Sequence, residues 1–168
     1  MESAEFLLKL NLREVIPYFE LPSNKGGKLS LWDFKQLRHL VIIFHHGSKC
    51  SSCRKKLKDI ASIYDKIQKL NAEVLAVASE SVARLKQQAK EDSIPFPMLA
   101  DTSGETINLF TYWDEKINGA CPSIFICDRF GELRKQQIVT EADRLLEKEE
   151  ALSWLLLLET ECPECSHL

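Results

Sequence analysis

The stretch "HLVIIFHHGSKCSSCRKKLKDIASIYDKI", residues 39–67, changes structural rhythm within a few positions. Its opening, His39 to His46, is a continuous apolar run rich in β-branched residues, the pattern of a central strand covered on both faces. A turn at Gly47-Ser48 follows. From there apolar residues recur at Leu57, Ile60, Ile63, Tyr64, Ile67 and Leu70, spacings of three and four that predict an amphipathic helix over 51–70. Cys50 and Cys53 therefore fall at a strand-to-helix junction.

Downstream the alternation continues. "AEVLAVAS" (72–79) reads as a second central strand and 80–92 as a helix that stops before Pro95. This βαβα order implies parallel strands joined by right-handed crossovers. A short strand over 96–101, a helix over 103–113 and a hairpin of 123–128 with 132–139 around Arg129-Phe130-Gly131 come next. Upstream, "LSLWDF" (29–34) reads as a short strand and turn, and 141–159 as a terminal helix. The expected architecture is one α/β domain over residues 1–160. Its central mixed sheet carries helices on both faces and an N-terminal β extension, and residues 161–168 form a cysteine-containing tail.

Composition agrees with a single globular unit: 168 residues, 45 % hydrophobic and 28 % charged, with six Gly and six Pro. A net charge of −3 gives no basic face for nucleic acid, and the Lys-rich segment 49–58 reads as the solvated side of a helix. The longest late apolar run, "WLLLL" (154–158), is far short of the roughly 20 residues of a membrane span. The N-terminus lacks the basic and apolar regions of a signal peptide, so the sequence reads as a soluble, cytoplasmic protein.

Six cysteines lie at 50, 53, 121, 127, 162 and 165. Two pairs are C-x-x-C, which in a chain without an export signal indicates catalysis or metal binding rather than a disulfide framework. A thiol at the start of a helix meets unpaired backbone N–H groups and the positive end of the helix dipole, both of which favour the thiolate. Cys50 has that place, Lys49 adds a cation beside it, and Cys53 follows one turn later. Cys50 is thus the expected nucleophile and Cys53 the more buried resolving thiol. The two pairs are spaced too far apart for a zinc ribbon, and His45 and His46 read as packing or capping side chains, so no metal ligand and no cofactor are assigned. Cys127 reads as a buried strand residue.

Three segments together resemble the alkyl hydroperoxide reductase and thiol-specific antioxidant (peroxiredoxin-like) family. They are "IPYFELPSNKGGKLSLWDFKQLRHLVIIFHHGSKCSSCRKKL" (16–57), "FPMLADTSGETINLF" (96–110) and "CPSIFICDRFGELR" (121–134). The similarity is greatest to the subgroup whose strand ends in F-x-x-G-x-x-C-x-x-C-x-x-x-L, here Phe44, Gly47, Cys50, Cys53 and Leu57. The resemblance implies a thioredoxin-like fold and a redox-active disulfide formed by Cys50 and Cys53. It also implies a thioredoxin-like or other thiol reductant as partner.

Relative to Cys50, the positions that carry the peroxide-gripping Pro and Thr/Ser of true peroxiredoxins hold Ile43 and Gly47, and the family's Arg is replaced by Pro122. Ser48 supplies a hydroxyl at a different offset. The implied activity is therefore thiol–disulfide exchange. Reduction of hydroperoxides as an antioxidant step is the alternative enzyme reading, and a redox-sensing or metal-binding module the non-enzyme one. Pro122 matches the proline that in thioredoxin-fold enzymes is cis and faces the C-x-x-C motif, which would bring Cys121 beside Cys50. Cys162 and Cys165 are a candidate relay pair for the first dithiol, with a small metal site or an inert tail as the equal alternative.

Overall fold

The computed structural model describes residues 6–161. A hairpin of β1 (Glu20–Pro22) and β2 (Lys28–Ser30) precedes β3 (His39–Phe44), α1 (Ser51–Ala61), α2 (Tyr64–Lys69) and β4 (Ala72–Ala78). Then come α3 (Val82–Asp92), β5 (Met98–Ala100), α4 (Glu105–Phe110) and the small hairpin of β6 (Trp113–Asp114) with β7 (Gly119–Ala120). Strands β8 (Ser123–Cys127) and β9 (Leu133–Ile138) and helix α5 (Lys148–Thr160) complete the order.

The main sheet has the order β5-β4-β3-β8-β9. Strand β3 runs parallel to β4 and antiparallel to β8, so both of its edges are hydrogen-bonded and all its residues are buried. On one face Val41, Ile43, Val74, Ala76, Ile124 and Ile126 meet Leu57 and Ile60 of α1, Ile67 of α2, Leu85 of α3 and Leu155 of α5. On the other, Leu40, Ile42, Phe44, Leu75, Val77 and Phe125 meet Phe19 and Leu21 of the N-terminal arm and Ile107 and Phe110 of α4. A strand covered twice has no polar face to alternate with, hence the unbroken apolar run. Each such buried side chain contributes about 1.5–3 kcal/mol of transfer free energy. The mixed sheet with helices on both faces is the architecture expected from the sequence.

Several boundaries differ. The helix expected over 51–70 is two helices, because the Ser62 hydroxyl donates to the Asp59 carbonyl at 2.5 Å and the chain tightens there, with the Ile63 N–H on the Ile60 carbonyl. The strand of "LSLWDF" stops at Ser30, where the Asp33 carboxylate accepts the Ser30 N–H at 2.7 Å and turns the chain into a short 3₁₀ segment. The terminal helix begins at Lys148, not 141, so Leu145 and Leu146 pack from a loop. Its buried face is Ala151, Leu155 and Leu158, and Leu156 is exposed. The helix expected over 103–113 ends at Phe110, and the β6–β7 hairpin follows it. Among the described residues no helix is long and apolar enough to cross a membrane.

Candidate active site

Strand β3 ends at Phe44, and the chain crosses the carboxyl edge of the sheet before α1 begins. The His45 N–H still reaches the Val77 carbonyl at 3.1 Å, and the His45 Nδ1 accepts the Gly47 N–H at 3.2 Å. Gly47 has φ +119°, a backbone state that a side chain would strain. His45 is fully buried, which pulls it down to about 4, so its ring is neutral and serves as a turn cap.

Cys50 is the N-cap of α1. Its Sγ accepts the Cys53 N–H at 3.2 Å and lies 3.3 Å from the Ser52 hydroxyl. The sulfur thus occupies the place where a capping oxygen satisfies the first free amides of a helix. Cys50 is half-buried, whereas Cys53 is 1 % exposed. Burial, then the hydrogen bond with Cys50, pushes the Cys53 thiol well above its ordinary range, with a backbone hydrogen bond from His46 acting the other way. Cys53 therefore keeps its proton at neutral pH until a partner takes it.

The loop before Cys50 is pinned from β4 and α3. Glu80 accepts the Ser48 N–H on Oε1 and the Ser48 hydroxyl on Oε2, both at 2.8 Å. Arg54 holds the Asp92 carboxylate with two bonds of 2.8 and 2.9 Å and donates to the Ser48 carbonyl at 3.3 Å. Ser48 thus has its hydroxyl committed to a carboxylate and acts as an anchor of the loop. Lys49 is exposed beside Cys50.

A cleft of about 560 Å³ opens over the thiol, lined by His46, Lys49, Cys50, Asp114, Lys116 and Glu141 among others. Its far wall is the β6–β7 hairpin. Gly119 lies so close to β3's continuation that a Cβ there would stand 2.6 Å from the His46 carbonyl oxygen. His46 is lowered by burial, partly offset by the Asp114 and Glu141 carboxylates. Asp114 Oδ2 is 3.8 Å from His46 Nε2, and that nitrogen is buried without a hydrogen-bond partner. Among the described residues, one group has a metal-ligating donor set: a ring nitrogen of His46 and the sulfurs of Cys50 and Cys53 all lie within 4.8 Å of one another.

Pro122 stands just before β8, its carbonyl accepting the Val139 N–H at 2.9 Å, but every described peptide bond is trans, Cys121–Pro122 included. Cys121 is buried, bonded through its N–H to the Tyr112 carbonyl at 2.7 Å, and its thiol is pushed up to about 11, first by burial and then by Asp114. It does not belong to the His46, Cys50 and Cys53 group. Cys127 is fully buried in β8. Cys162 and Cys165 lie outside the described residues. The sequence reading missed His46 as a neighbour of both thiols, and it missed Glu80, Asp114 and Glu141. For Glu80 alone a signal was available, the adjacency of two parallel strand ends: Phe44 pairs with Val77, so residues just beyond each lie near one another.

The AhpC/TSA family profile matches residues 12–136. Peroxiredoxin Bcp of Escherichia coli is 25 % identical over 107 residues, 64 % of this chain and 68 % of that protein. Thiol-disulfide oxidoreductase ResA of Bacillus thuringiensis is 26 % identical over 145 residues, 83 % of this chain and 79 % of that one. The crystal structure of Enterococcus faecalis AhpC superposes with a TM-score of 0.72 at 25 % identity, covering 90 % of this chain and 98 % of that one. The profile spans the strand-to-helix thiol junction, the sheet around it and the turn after β8, and on that ground the chain belongs to the AhpC/TSA family.

Proposed function

We propose that the protein is a thiol–disulfide oxidoreductase in which Cys50 attacks and Cys53 resolves. The coarser statement rests on the family and on relatives named as a peroxiredoxin and a thiol-disulfide oxidoreductase: this is a thiol-dependent oxidoreductase. The observation that carries the finer one is the asymmetry of the pair, a half-exposed Cys50 sulfur capping α1 in front of a buried, protonated Cys53.

The Cys50 thiolate displaces one sulfur of a substrate disulfide, giving a Cys50–substrate disulfide and a substrate thiolate. Cys53 then loses its proton and attacks Cys50 Sγ, releasing the second substrate thiolate and leaving a Cys50–Cys53 disulfide. An external dithiol, such as a thioredoxin-like protein, takes up that disulfide and restores both thiols. We assign the protein to the cytoplasm, where such reductants keep thiols reduced.

Hydroperoxide reduction is the second reading, favoured by the likeness to peroxiredoxin Bcp. There Cys50 takes an oxygen from the hydroperoxide and becomes a sulfenic acid, an alcohol leaves, and Cys53 condenses with loss of water. Ser48 donates its hydroxyl to Glu80, so it is not disposed towards a peroxide, and this ranks disulfide exchange first. Insulin-disulfide reduction and hydroperoxide consumption, measured side by side, separate the two. Cys50→Ser abolishes both, whereas Cys53→Ser traps a mixed disulfide visible by mass spectrometry. Wild-type turnover in Cys50→Ser would sink the assignment.

A further inference from the structure

We propose that His46, Cys50 and Cys53 form a binding site for Zn2+ in the reduced protein, one that forming the Cys50–Cys53 disulfide abolishes. The three donor atoms lie within 4.8 Å of one another without any ion to draw them together. With Zn–S near 2.3 Å and Zn–N near 2.0–2.1 Å, tetrahedral ligands stand about 3.5–3.8 Å apart. Closing that gap takes side-chain shifts of about 1 Å.

The donor set is two thiolates and one imidazole. A borderline-soft d10 cation accepts that combination, and hard oxygen-seeking cations do not. His46 contributes a second, independent pointer: its Nε2 is buried yet has no hydrogen-bond partner. A buried ring nitrogen left unsatisfied is destabilising, and coordination, or orientation by Asp114 at 3.8 Å while the other nitrogen coordinates, relieves it. The cleft supplies the open fourth position. Three protein ligands on one side and about 560 Å³ of solvent-filled space on the other leave room for a water on the metal.

Binding replaces whatever protons the thiols hold by the shared cation, so protons leave and no electron moves. Oxidation to the disulfide removes two electrons, taken by the substrate disulfide, and leaves neither sulfur with the charge that holds Zn2+. Metal occupancy and the disulfide are mutually exclusive, so Zn2+ shields the dithiol from oxidation and oxidation releases Zn2+. The site needs only the reduced thiols. A protein that binds Zn2+ but reduces no disulfide would defeat the proposed function and leave this inference standing.

The test uses the full reduced chain carrying Cys162→Ser and Cys165→Ser, so that the second pair contributes no thiolate. Anaerobic equilibrium dialysis against Zn2+ is expected to give one ion per chain, with proton release in weak buffer. Cys50→Ser and Cys53→Ser each weaken binding at least about a hundredfold, and His46→Gln at least about tenfold. Co2+ in the same site shows a thiolate charge-transfer band that Cys50→Ser removes. Cys127, fully buried, reports folding of each variant by its resistance to alkylation. Absence of stoichiometric binding in the reduced, folded protein overturns the proposal, as does binding that is indifferent to Cys50→Ser or His46→Gln.

Discussion

Gly119→Ala tests how tightly the cleft wall is fixed to the strand that carries the thiols. The added Cβ would stand 2.6 Å from the His46 carbonyl oxygen and 3.2 and 3.3 Å from its Cα and carbonyl carbon. All three are backbone atoms, so no rotamer change relieves the contact. Reaching an ordinary C···O separation of about 3.3 Å requires a displacement of about 0.7 Å. The side that yields is the β6–β7 hairpin, two residues per strand, because His46 continues a strand hydrogen-bonded on both edges.

Overpacking of this kind costs about 1–3 kcal/mol. At roughly 2–4 °C per kcal/mol for a chain of this size, the midpoint should fall by about 2–12 °C. Because Asp114 rides on β6, the shift also moves the carboxylate that faces His46. Urea denaturation gives the stability change, and the rate at which a maleimide alkylates Cys50 reports the cleft. Gly27→Ala is the control, since a Cβ there meets nothing within 4 Å and only the positive φ is disturbed. If Gly119→Ala stays within about 0.5 kcal/mol of wild type and alkylates at the same rate, the coupling between hairpin and thiol loop is refuted.

Three further outcomes are expected. Glu80→Ala frees the Ser48 amide and hydroxyl and should lower disulfide-reductase turnover several-fold. Glu80→Gln, whose amide can accept the N–H and donate to the hydroxyl, should keep most of it; equal losses would show that the charge, not the geometry, matters. Asp92 is held below the usual carboxylate range by the Arg54 hydrogen bonds, so its contribution is present above the unfolded value of about 3.9 and lost as pH falls through the folded one. Asp92→Asn should therefore destabilise by about 1 kcal/mol at pH 7, and by progressively less as pH falls below the unfolded value, in urea titrations. Phe110→Ala opens the aromatic trio of Phe44, Phe110 and Phe125, whose centroids are 5.1–5.7 Å apart, and should cost about 3–5 kcal/mol by denaturant titration.

The run of residues 39–44 announced the centre of the fold because a doubly covered strand leaves no polar positions to blur its pattern. Cys50 and Cys53 were legible for a related reason: their role follows from being next to a helix start, a local property. The rest of the site is non-local. Ser48 and Glu80 are 32 positions apart and meet only because β3 and β4 run parallel and end together. Asp114 reaches His46 from a hairpin of two-residue strands, too short to show any period, in a stretch of mostly polar residues. The break at Ser62 escaped notice because the apolar spacing runs straight through it, and only the hydroxyl's bond to Asp59 reveals it.

Glu161 has a mechanical consequence. Both of its carboxylate oxygens are held by Arg134, at 2.7 and 2.5 Å, and Arg134 follows Leu133, whose partner Cys127 faces Leu40 near the beginning of β3. The end of α5 is thus clamped to β9 at the opposite end of the sheet from Cys50, with the length of β3, about 17 Å, in between, so the fastening of the last helix and the setting of the thiol loop are mechanically separate.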